Sequence, residues 1–106
     1  MIKIGQNIIL NGDLPKEYKD FDFSNLCLIT CGLSLRSTIT ASSIDDDGFT
    51  YCLQRSIFTI NNNEVSPQEF NVRWKQKAED IYPYLEVVTL LLLCGISVKI
   101  FESIQL

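Results

Sequence analysis

The sequence predicts an α+β fold: an antiparallel sheet of four to five strands with one long, Pro-kinked helix packed across one face, in the order β-β-β-α-β. Three observations predict it. An alternation of apolar and polar residues with period two runs from Leu26 to Ala41. A second apolar stretch, Phe49–Ile60, follows it across an Asp-Asp-Asp-Gly turn. Beyond that, Ser66-Pro67-Gln68-Glu69 reads as a helix start and opens an apolar row with steps of three and four. Strands grouped before one helix imply layers rather than alternating β-α units. The 106 residues make a single domain, 1–106, large enough for one core without staples.

Taken in order, residues Ile2–Leu10 read as a strand or short hairpin, with Ile2 and Ile4 alternating with Lys3 around Gly5-Gln6. Asn11-Gly12-Asp13 is a turn signal. Residues 14–22 are polar and charged, with Pro15 early, and read as a loop. In the long alternation, Cys27, Ile29, Cys31, Leu33, Leu35, Ile39 and Ala41 share one face. Thr30, Ser34, Arg36, Thr38 and Thr40 share the other, so one face is buried and one wet. Leu26 and Leu28 break the polar face, which implies cover on both sides there. Phe49, Tyr51, Leu53 and Ile57 form the inner face of the hairpin partner. Phe58 and Ile60 fall on the other face and imply a bulge or twist near Arg55-Ser56.

The stretch Ser66–Ile96 reads as one helix. Ser66 and Glu69 form a capping box, and Pro67 occupies the first turn. The row Phe70, Trp74, Ala78, Ile81, Leu85, Val88, Leu92 keeps its phase across Pro83, which predicts a kink there. Glu69, Arg73 and Lys77 fall at spacings of four on the opposite face and can pair. Residues 87–93 are apolar nearly all round, so that half lies inside something. Gly95 suits the left-handed closing residue, with Ile96 returning to Leu91. Ser97–Ile104 then alternates as a last strand.

Composition excludes several function classes. The chain contains no histidine, which removes the usual general base and the usual triads. No P-loop and no dinucleotide glycine fingerprint is present, and no cofactor is expected. The expectation is a protein that is not an enzyme. A carboxylate-based hydrolase is the one enzyme class these residues leave open. The four cysteines lack the paired short spacings of a zinc site; Cys27, Cys31, Cys52 and Cys94 are expected as buried free thiols. No apolar segment reaches the roughly 18 residues of a membrane helix, and no signal peptide is read at the N-terminus. The expected compartment is the cytoplasm.

The net charge is −4. An acidic balance disfavours direct nucleic-acid contact and anionic membranes, and favours a basic protein partner through steering. Two acidic clusters are the candidate partner-binding residues. Asp45, Asp46 and Asp47 stand together at the hairpin tip, where three like charges repel unless paired. Their spacing does not match a calcium loop. Asp13, Glu17, Asp20 and Asp22 form the second cluster, beside Tyr18, Phe21 and Phe23. Small size, acidity and the lack of catalytic equipment point to a protein that neutralises a basic partner, most concretely an immunity protein that inhibits a secreted nuclease toxin. A phage-encoded inhibitor of a defence complex has the same character. The alternative from another class is a structural or assembly subunit, a homodimer built on the apolar helix half and the strand edges.

Overall fold

The computed structural model describes residues 2–12 and 24–106. Its core is a six-stranded sheet whose strands are, in spatial order, Ile2–Ile4 (β1), Asn7–Asn11 (β2), Cys27–Cys31 (β3), Ile39–Ser42 (β4), Gly48–Leu53 (β5) and Gln68–Arg73 (β8). Between them, β6 (Ile57–Phe58) and β7 (Glu64–Val65) form a separate two-stranded sheet. One α-helix is found among the described residues, α1 (Tyr82–Leu93), and a 3-10 helix (Val98–Glu102) follows it. The fold is therefore α+β. The sheet is mixed rather than antiparallel, because β3 runs parallel to both β2 and β4. No described helix is long and apolar enough to cross a membrane.

The N-terminal hairpin forms as expected, with Ile2 opposite Ile9 and Gly5 at φ 60° in the turn. The long alternation 26–41 does not form one strand. It breaks into β3 and β4, which meet in register only at Cys31 and Ile39. Thr30 and Thr38 stitch the junction: the Thr38 amide donates to Thr30 Oγ1 at 2.9 Å, and the Thr30 amide donates to Thr38 Oγ1 at 3.2 Å. Leu33 and Leu35, expected inside, project into solvent from the intervening loop. Leu28 is also exposed, so the double cover expected at the start of this stretch is absent from that side chain.

The hairpin of β4 and β5 forms with Ala41 opposite Tyr51. Phe49, Tyr51, Leu53 and Ile57 are all buried, as the alternation requires. Phe58 and Ile60 are exposed, on the far side of a break at residues 54–56.

The largest correction concerns Ser66–Ile96. Its first part is not helical. Gln68–Arg73 is the edge strand β8, antiparallel to β5, with Phe70 opposite Tyr51 and Val72 opposite Phe49. Phe70, Val72 and Trp74 point inward, and Glu69, Asn71 and Arg73 are exposed. A spacing of four from Phe70 to Trp74 satisfies period two as well as period 3.6, and Val72, 1 % exposed, decides for the strand. The Glu69–Arg73–Lys77 row thus never forms a helix face. The Arg73 guanidinium instead donates to the Glu102 carbonyl at 2.6 Å.

The helix begins at Tyr82, so Pro83 lies in its first turn and kinks nothing. Asp80 precedes it, its Oδ1 accepting the Tyr82 amide at 3.0 Å. Leu85, Val88, Thr89, Leu92 and Leu93 form the buried stripe, and α1 lies across β2, β3 and β4. Its end is closed as the sequence predicts. Gly95, at φ 90°, donates to Leu92, and the Ile96 amide donates to Leu91 at 3.1 Å. The expected last strand is a 3-10 helix instead, capped by Ser97, whose side chain accepts the Lys99 amide. Phe101 anchors it, stacked on Phe70 with ring centroids 5.3 Å apart. Only Gln105 bridges the sheet, at Arg73.

Candidate partner-binding site

The acidic turn between β4 and β5 is built from its backbone outward. The Asp45 amide donates to the Gly48 carbonyl at 3.0 Å. Asp45 Oδ1 accepts the amides of Asp47 and Gly48, at 2.9 and 3.1 Å. An aspartate that caps its own turn in this way fixes the turn's shape. Gly48 completes it. A Cβ at that position would stand 2.1 Å from the Val72 carbonyl oxygen, so β8 can approach only because the residue is glycine.

Trp74 holds the turn from below. Its ring nitrogen donates to the carbonyls of Asp45 and Asp46, at 3.2 and 3.1 Å. Its backbone amide donates to the Asp47 carbonyl at 3.2 Å. The indole is itself buried, 5.2 Å from Phe49 and 5.3 Å from Tyr84 between ring centroids. The start of α1 is therefore packed against the residue that anchors the turn. The acidic tip is thus held in place by the fold's own hydrogen bonds and ring contacts.

Asp45, Asp46 and Asp47 are all exposed, yet they are not equivalent. Asp45 spends its carboxylate on the turn, while Asp46 and Asp47 lend the anchor only their backbone carbonyls. Beside the turn lies an open depression of about 270 Å³, lined in part by Asp45, Asp47, Thr50, Asn71 and Arg73. Thr50 donates to Asn71 Oδ1 across its floor at 3.0 Å. The second predicted cluster, Glu17, Asp20 and Asp22 together with Asp13, lies outside the described residues.

The thiols divide. Cys31 and Cys52 are buried, whereas Cys27 and Cys94 are exposed, which corrects the expectation of four buried thiols. Cys31 faces a polar knot inside the core. Thr89 Oγ1 donates to the Leu85 carbonyl at 2.7 Å and lies 2.7 Å from the Tyr51 hydroxyl, which donates to it. Burial pushes the Cys31 thiol up to about 12, against a smaller opposing pull from Thr89, and pushes the Tyr51 phenol up as well. Both groups stay neutral and unreactive there. Among the described residues, no group of three or more cysteine, aspartate or glutamate side chains is placed to hold a metal ion.

Sequence reasoning missed Trp74 as the pillar of the turn, because it placed that residue on a helix. The signal was present in the alternation of Phe70, Val72 and Trp74 against Glu69, Asn71 and Arg73. Comparison with protein-family models, with curated proteins and with solved structures gives no match.

Proposed function

We propose that the protein is a small cytoplasmic binding protein that neutralises a basic protein partner, most concretely an immunity protein that inhibits a secreted nuclease toxin. The observation that supports this reading is the acidic turn, held by Trp74 and Asp45 so that Asp46 and Asp47 face solvent. Carboxylates on a pre-set turn can occupy a cleft built for phosphates and gain fast, steered association. A phage-encoded inhibitor of a nucleic-acid-binding defence complex would use the same chemistry. The reading assigns no catalytic step and no cofactor to this chain.

The test compares tagged wild-type protein with Asp46→Asn/Asp47→Asn as bait in the native cell extract, at low and high salt. A stoichiometric basic partner should be held by the wild type at low salt, weakened at high salt, and lost from the double variant. Asp45 is left intact so that the turn keeps its cap. Equal capture by both baits would remove the acidic turn from the interface.

A further inference from the structure

We propose that copies of this protein associate head to tail, the Leu33–Leu35 loop of one copy seating in the apolar hollow beside Val87 of the next. Leu35 is 85 % exposed and Leu33 56 % exposed, the two most exposed large apolar side chains among the described residues. The loop that carries them is held rigidly. Arg55 Nη1 donates to the carbonyls of Arg36 and Ser37, at 2.7 and 3.1 Å. Gln54 Nε2 donates to the Ser37 carbonyl at 2.8 Å, and Ser34 Oγ accepts the Arg36 amide at 3.1 Å. A loop fixed in this way loses little entropy when its leucines are covered.

The receiving surface lies on α1. Pro83, Tyr84, Val87 and Leu106 line an open hollow of about 330 Å³, and Val87 at its edge is 43 % exposed. Its lining exposes only apolar atoms, which suits aliphatic side chains. The charges around the two surfaces differ. Arg36 and Arg55 flank the leucine loop. Glu79 and Asp80 precede Pro83, and Glu86 adjoins Val87. Arg73 and Lys75, whose backbones bond to Leu106 at 2.8 and 3.2 Å, bring positive charge to the same end, so acidic residues around the hollow outnumber basic ones by a narrow margin. In the head-to-tail arrangement each copy gives its loop to one neighbour and its hollow to another, a heterologous contact that continues from copy to copy unless the rotation closes a ring. The strand edges offer less. Exposed Lys3 sits at the centre of β1 and would oppose its own copy, and the chain at Gln105 covers β8 at Arg73.

Sedimentation of the purified chain at rising concentration tests the proposal. The wild type should grow in mass with concentration. Leu35→Asp and Val87→Asp should each weaken association at least about tenfold. Both side chains are exposed, and unchanged thermal melting would confirm that the variants fold. Mixing the two variants should restore a dimer and stop there. One supplies an intact hollow and the other an intact loop, and the two remaining surfaces are spoiled. A contact between like patches would not be rescued by mixing. Asp46→Asn/Asp47→Asn should associate like the wild type, which separates this surface from the acidic turn. A wild type that stays monomeric up to about 1 mM, or a mixture that stays monomeric, would overturn the proposal.

Discussion

At the scale of single residues, Gly48 and the Cys31–Thr89–Tyr51 knot carry the sharpest consequences. Replacing Gly48 by alanine places a methyl group 2.1 Å from the Val72 carbonyl oxygen, so β5 and β8 must part at their shared end. Gly48→Ala should cost about 1–3 kcal/mol in urea unfolding, the range for forced overpacking. The knot sets the response to alkali. Cys31 is raised from 9.0 to about 12 by burial, and Tyr51 is raised from 10.0. In the unfolded chain these groups lose their protons at the lower, ordinary values. Above pH 9 the unfolded state therefore binds fewer protons than the folded one, and stability falls as pH rises. Stability is full below about pH 9 and declines steadily above it. Unfolding curves at pH 8 and pH 10.5 should show this loss, and it should shrink in Cys31→Ala/Tyr51→Phe relative to that variant's own value at pH 8.

At the scale of elements, α1 is the clearest case of what the sequence discloses and what it hides. The buried stripe Leu85, Val88, Leu92 and the Gly95 closure are both legible, because a helical period and a left-handed glycine have few other uses. The start was misplaced, because Ser66-Pro67-Gln68-Glu69 mimics a cap and Phe70–Trp74 fits either period. The alternation of Phe70, Val72 and Trp74 is a local signal for the strand but a short one, and tertiary pairing with β5 decides the contest. The break between β3 and β4 was hidden for a similar reason. Leu33 and Leu35 keep the alternation in phase while facing water, and the Arg55 and Gln54 bonds that bend the loop come from a distant segment. Two substitutions separate the readings of the helix. Pro83→Ala in a first turn should change stability by no more than about 1 kcal/mol, whereas relief of a mid-helix proline would gain about 3 kcal/mol. Leu92→Ala, at a site 1 % exposed and facing the sheet, should cost about 2–5 kcal/mol.

At the scale of the whole molecule, the fold sets an acidic turn on an aromatic pillar. Trp74 ends the edge strand, receives Tyr84 from the start of α1, and ties down three successive carbonyls of the turn. The candidate residues at this turn were legible in the sequence as a charge cluster. Their division of labour was not, because it depends on Asp45 folding its carboxylate back onto Asp47 and Gly48. Asp46 and Asp47, on this pre-set turn, are the proposed contact with a basic partner. The most direct measurement is the affinity of the captured partner for wild type and for Asp46→Asn/Asp47→Asn, each at low and high salt. Wild-type binding should weaken steeply with salt, and the double variant should fold normally, bind at least about tenfold more weakly at low salt and respond less to salt. Equal affinities with equal salt dependence would contradict it.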